Sequence, residues 1–257
     1  MPSTSIHAEH GGVAAGYIGV LRQHLADGQV ARIDRPRPVV EWTAQQLGVH
    51  PAIHGVNPPD NDYAFVLPTY LERDHDQKLR SCLLNAACGE QAVLVLVRGS
   101  SCSGKTRAAF EAVRACLHGW QLAFPKTPRA LLDLLNAGAL AAHTVLWLNE
   151  AQNYLDGPGG EEAAAALRSR MEESGPLLVL GTLWPEYHHN LTATPQPGQR
   201  TTDAHPNARA LLDQAVLVDV PPSFTAEALG RVFGRDQWVR VRSLIQIIAP
   251  RRWRPAR

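Results

Sequence analysis

Eight consecutive residues, Gly99-Ser100-Ser101-Cys102-Ser103-Gly104-Lys105-Thr106, match the spacing G-x-x-x-x-G-K-[ST] at every fixed position. Each residue type has a chemical reason. Glycines at 99 and 104 let the backbone close around an anion with no Cβ in the way. The N–H groups of Ser100, Ser101, Cys102 and Ser103 can then turn inward as a nest for phosphate oxygens. A helix opening near Gly104 adds its positive end. Lys105 supplies a point charge for β- and γ-phosphates, and the Thr106 hydroxyl is the type of ligand that Mg2+ takes. Cys102 reads as a small neutral loop residue rather than a redox centre. The ligand this pattern predicts is a nucleoside triphosphate with Mg2+.

A second group of residues lies about forty positions further on. Val145-Leu146-Trp147-Leu148-Asn149-Glu150 has the form of an apolar strand that ends in polar residues. Asn149 can accept from a Mg2+-bound water through its carbonyl, although it carries no charge. Glu150 is the candidate general base for activating a water. Val179-Leu180-Gly181-Thr182 ends a further strand in a hydroxyl. Thr182 either orients the attacking water or senses the γ-phosphate, or else satisfies nearby backbone. Together Lys105, Glu150 and Thr182 make the predicted catalytic set, and Thr106 and Asn149 the predicted metal set. His188, His189 and His205 show no metal-ligand spacing, and Arg200 reads as a solvated loop residue or an arginine finger in an oligomer.

These residues need a scaffold that brings distant strand ends together. Gln91–Arg98 is a compact apolar run with β-branched residues, the pattern of a buried parallel strand. Further strands are predicted at 119–124, 143–148, 176–181 and 215–220. Helices are predicted at 73–87, 104–118, 128–137, 161–173 and 207–214. Strands alternating with helices predict an α/β fold: a five-stranded, mainly parallel sheet with helices on both faces. Ala14–Ala26 can be drawn as a short amphipathic helix. Gly28 to Asn61 has no sustained period and reads as an irregular arm, and 191–206 as a Pro/Thr/Gly-rich loop.

Composition narrows the class. The chain has 257 residues and a formal net charge of +1, so no single charge sign dominates. No apolar run approaches the ~20 residues of a bilayer span, and the N-terminus lacks a signal-peptide layout. Four cysteines without metal-like spacing read as reduced thiols. These features predict a cytoplasmic protein with no membrane partner. Residues 231–257 carry eight Arg and one acid, Asp236, leaving the first 230 at about −6. Such a tail offers weak, salt-dependent contact to nucleic acid.

GSSCSGKTRAAFEAV, WLNEAQNYL, GTLWPEY and LPTYLERDHDQKLR together resemble the novel STAND-type P-loop NTPases of high-GC, actinobacterial-type bacteria, relatives of the AAA+ ATPases. The resemblance spans about Leu47 to Leu229. It implies strand order 5-1-4-3-2, ATP rather than GTP, and a switch between a resting state and an activated, homo-oligomeric one. It also implies that Tyr70 and Arg73 lie beside the adenine; the competing reading is a surface turn that caps the next helix through Asp74 or Asp76. The domains expected are an irregular or disordered arm at 1–61, the NTPase at 62–230 and a basic tail at 231–257. That tail departs from the lid, winged helix and repeats of the family, as a truncated or frame-disrupted end would. The function implied is an ATP-hydrolysing regulatory switch. The alternatives are a nucleotide-binding module with little turnover and a small-molecule kinase.

Overall fold

The computed structural model describes residues 22–24, 30–32, 35–51, 67–194 and 203–224. Most of the arm expected at 1–61, residues 195–202 of the expected 191–206 loop with Arg200, and the basic tail lie outside these residues.

Two short strands, β1 (Arg22–His24) and β2 (Val30–Arg32), pair antiparallel as a small ladder of their own. Residues 22–24 are therefore extended, where the sequence pattern had been drawn as helix. The main sheet contains β3 (Arg37–Pro38), β4 (Val93–Arg98), β5 (Gln121–Ala123), β6 (Thr144–Leu148), β7 (Leu177–Leu183) and β8 (Val216–Asp219). Its order is β3-β5-β6-β7-β4-β8. The five strands foreseen take the 5-1-4-3-2 order, all parallel. The count is six, not five, because β3 joins the β5 edge antiparallel. Two residues ending in Pro38 leave no periodicity to read, and a proline fits only where its missing N–H faces no partner.

The central strands β4, β6 and β7 are buried on both faces, so their apolar runs are continuous. The side-chain period of two still sorts them. Val95, Val97, Val145, Trp147, Leu178 and Leu180 enter one core, with α1 (Asp74–Cys88) and α2 (Lys105–Cys116). Leu94, Leu96, Leu146, Leu148, Leu177 and Val179 enter the other. That second face carries α3 (Pro128–Asn136), α4 (Gln152–Leu155), α5 (Gly160–Glu172), α6 (Pro185–Thr192) and α7 (Pro206–Leu212). The short helices α4 and α6 were not foreseen.

Local chemistry places the helix starts. Thr127 caps α3 by accepting from Ala130 N–H, with Pro128 at the first position. Asp74 and Asp76 occupy the first turn of α1, where negative charge meets the positive end of the helix. Leu79, Leu83 and Ala86 follow at i, i+4 and i+7 and are buried.

Residues 35–51 also belong to the first core. A single 3-10 turn at Val39–Glu41 and the segment after it bury Val39, Trp42, Ala44, Leu47 and Val49. The Trp147 indole N–H donates to the Leu47 carbonyl at 3.2 Å, inside the protein. Part of the segment expected as an arm thus packs on the domain, directly beneath the tip of β6.

Candidate nucleotide-binding site

The loop from Gly99 to Gly104 leaves the C-terminal end of β4 and feeds α2. A Cβ on Gly99 would stand 2.8 Å from both the Ser103 hydroxyl and the Val220 carbonyl, so only glycine passes there. Gly104 has φ of 96°, and a Cβ on it would meet Arg73 Nη2 at 3.1 Å. Cys102 also takes a positive φ, 56°, and leaves its thiol exposed.

Lys105 is the first residue of α2 and is only 6% exposed. Its Nζ donates to the Ser100 carbonyl at 2.8 Å. Burial holds this ammonium below the usual lysine range; Glu150 opposes that shift. A buried cation whose charge is compensated only at a distance is one that an incoming anion stabilises. The Ser103 hydroxyl points the same way, since it is buried and has no hydrogen-bond partner. A glycine-only turn, a desolvated ammonium and an orphaned hydroxyl in one loop fit a polyphosphate.

The tips of β6 and β7 complete the site. Thr106 Oγ1 and Thr182 Oγ1 each donate to Asn149 Oδ1 at 3.1 Å. Thr182 Oγ1 also accepts from the Glu150 N–H at 2.8 Å. The Thr182 hydroxyl is thus engaged with the β6 tip, so the local-backbone role is the one its contacts show. Glu150 has φ of 56°, a conformation in which a non-glycine residue stores about 1–3 kcal/mol of strain. Its carboxylate Oε1 accepts from the Trp184 indole N–H at 3.3 Å. The Thr106 hydroxyl and the Asn149 carbonyl offer a hard cation oxygen ligands directly or through water. Among the described residues, no group of three or more His, Cys, Asp and Glu gathers as a metal centre.

Arg73 joins the site from another direction. As N-cap of α1 it sends Nη2 to the Ser103 carbonyl at 2.7 Å and Nη1 to the Pro221 carbonyl at 3.1 Å. Asp76 accepts from the Arg73 N–H at 2.7 Å and from the Tyr70 hydroxyl at 2.6 Å. The capping arrangement through Asp76 is therefore present, and the same turn carries Arg73 onto the phosphate loop.

Three features were not singled out in the sequence. Gly48, with φ of 79°, lies against Asn149; a Cβ there would be 2.8 Å from Asn149 Nδ2. Trp184 lies between Glu150 and Lys105, whose Nζ is 5.6 Å from its ring centroid. Arg98 makes a two-pronged pair with Asp219 and comes within 3.2 Å of His188 Nδ1. An aromatic residue two positions past Thr182 was the one available signal, for Trp184.

No family model matches the chain, and no curated protein does. Solved structures do. The Orc1 protein of Aeropyrum pernix, in complex with DNA, is similar at 16% identity and TM-score 0.41, over 66% of this chain and 48% of that one. Two substituted forms of Thermotoga maritima RuvB are similar at 14% and 12% identity, each with TM-score 0.40. They cover 67% and 72% of this chain, and 51% and 67% of theirs. The chain spans about half the length of the first two of these structures. Likeness of this degree concerns the fold alone. No helix among the described residues is long and apolar enough to cross a membrane. The chain has an α/β P-loop fold, with strands in the order 5-1-4-3-2, an added antiparallel edge strand, and the glycine loop between its first core strand and the helix that follows.

Proposed function

We propose that this protein is an ATP-binding, ATP-hydrolysing regulatory switch of the STAND type, acting in the cytoplasm. One observation supports the reading above the others: the Thr106 and Thr182 hydroxyls converge on Asn149, beside Glu150 and a buried Lys105. In this reading the backbone of residues 99–104 and Lys105 hold the triphosphate, with Arg73 bracing the loop. Thr106 and Asn149 hold Mg2+, which when bound offsets charge on the phosphates. Glu150 takes the proton of the attacking water, and Thr182 holds the Asn149–Glu150 corner in place. ATP rather than GTP, and homo-oligomerisation in the nucleotide-bound state, rest on the resemblance of the motifs. Any nucleic-acid contact is assigned to the Arg-rich tail and is weak.

Phosphate release from ATP with Mg2+, measured together with molecular size with and without ATP–Mg2+, tests this directly. Turnover with a change in size supports the switch. Turnover that requires an added acceptor would instead indicate a kinase.

A second reading has a specific observation behind it. Asn149 is neutral at a place where a carboxylate would draw the cation, which favours a nucleotide-binding module with little turnover. Tight binding without phosphate release would support that reading.

A further inference from the structure

Trp184 contacts both charged groups of the site, Glu150 and Lys105. It follows β7 directly and precedes Pro185, the first residue of α6. Its indole N–H donates to Glu150 Oε1 at 3.3 Å. The face of the same ring lies under the Lys105 ammonium, with 5.6 Å from Nζ to the centroid. Tyr187, one turn into α6, meets the ring edge-on at a centroid distance of 6.4 Å. The indole is therefore fixed by its chain position, by an aromatic neighbour and by two charged partners.

Glu150 needs such support. Its backbone lies in the left-handed region, which an L-residue keeps only when its surroundings over-determine it. The Asn153 N–H does part of this by donating to the Glu150 carbonyl at 2.8 Å, and two side chains from the end of β7 add to it. Thr182 takes the Glu150 N–H, and Trp184 takes one carboxylate oxygen. With Oε1 engaged, the carboxylate cannot rotate freely, and Oε2 is the oxygen left to accept from a water. A flexible glutamate would lose that orientation in most of its rotamers, and loss of alignment reduces rate even where binding is intact.

We infer that Trp184 is a positioning residue for hydrolysis: its indole N–H aims the Glu150 carboxylate. The inference rests on the proposal that Glu150 is the general base. The ring serves the second partner independently, because any aromatic face can lie under Lys105. Removing the N–H while keeping a ring separates the two effects.

The experiment is a double-mutant cycle with Trp184→Phe and Glu150→Gln in the full chain, reading kcat, KM and nucleotide affinity by calorimetry. Trp184→Phe keeps an aromatic face for Lys105, so affinity stays within about threefold of wild type. Its kcat falls about tenfold, less than the ~10² expected when the base itself is removed. With Glu150→Gln already present, adding Trp184→Phe changes kcat by less than about twofold, because a group acting only through the carboxylate has nothing left to aim. Intact calorimetric binding in each variant shows that it is folded.

Two results overturn the inference while leaving hydrolysis at this site standing. One is an unchanged kcat in Trp184→Phe. The other is an equal fold-loss from Trp184→Phe in the wild-type and Glu150→Gln backgrounds, which would mark a general packing role. A wild-type chain that binds ATP and releases no phosphate overturns both the hydrolase reading and the role of Trp184. A wild-type chain that hydrolyses ATP at the same rate after Glu150→Gln removes the base assignment, and the positioning role with it.

Discussion

Thr106 and Asn149 stand 43 positions apart in the chain, and their side chains meet at 3.1 Å. The contact joins the start of α2 to the end of β6, across the tips of the parallel strands. Asn149 Oδ1 also receives the Thr182 hydroxyl, so a Mg2+-bound water would take the place of one of two donors on this carbonyl oxygen. The Asn149 amide nitrogen lies on the Gly48 side. One neutral side chain therefore ties the phosphate loop, the β7 tip and the segment around Gly48 to a single point.

Lys105→Ala should remove most of the nucleotide-dependent stabilisation. A ligand that binds only the folded state adds about 2.7 kcal/mol at a hundredfold excess over Kd. Without the lysine, the rise in melting temperature with ATP–Mg2+ should largely disappear. The ligand-free melting curve should hold or improve slightly, since a desolvated ammonium leaves the interior. Equal ligand-induced shifts in wild type and mutant would refute the assignment of this loop.

Glu150→Gln should preserve ATP binding and lower phosphate release by about 10² or more, the usual scale for a positioned base. The amide keeps an oxygen for the Trp184 indole N–H, so the local geometry survives. Calorimetry beside steady-state phosphate release separates the two quantities. Unchanged turnover would rule Glu150 out.

Asn149→Asp replaces the shared carbonyl with a carboxylate. Both hydroxyl donors can stay, and hydrogen bonds to a charged acceptor are stronger. The added charge should lower the Mg2+ concentration that gives half-maximal activity. A Mg2+ titration of phosphate release checks it, and a shift to higher Mg2+ would show that the cation does not lie near position 149.

Gly48→Ala tests the link between the first core and the site. The new methyl would enter 2.8 Å from Asn149 Nδ2, at a backbone φ of 79°. The left-handed conformation alone costs a non-glycine residue about 1–2 kcal/mol. For a domain of this size that lowers the melting temperature by about 2–8 °C. Displacement of Asn149 should also raise the Mg2+ requirement. A variant with wild-type stability and wild-type Mg2+ dependence would show that this segment yields freely.

Two histidines should make stability fall on acidification. Burial, the larger cause at each, holds His75 below the ordinary imidazole value, and it does the same at His188 with help from the Arg98 guanidinium. The unfolded chain therefore binds these protons first as pH falls through about 6.5. Stability is fully present above that value and declines below it. His75 has no hydrogen-bond partner on either ring nitrogen. His75→Met should leave stability at pH 7.5 equal or higher and flatten its decline towards pH 5.5. Melting temperatures across that range decide it, and an unchanged slope would exclude His75 as a contributor.

The phosphate loop was legible because its chemistry is local. Spacing, glycines, lysine and hydroxyl are contiguous, and β4 and α2 flank them within a few residues. β4, β6 and β7 were legible because strands buried on both faces leave unbroken apolar runs. β3 was not, since two residues show no period and its pairing with β5 is a contact across 85 positions, Arg37 to Leu122 at one end. The pairing of Asn149 with Thr106 and Thr182, the left-handed Glu150, the indole of Trp184 and the approach of Gly48 were settled only by tertiary structure. Each depends on which strand ends lie side by side and how far each strand extends. A sequence pattern encodes the face a side chain takes, but the distance between two strand tips follows from the packing of the whole sheet.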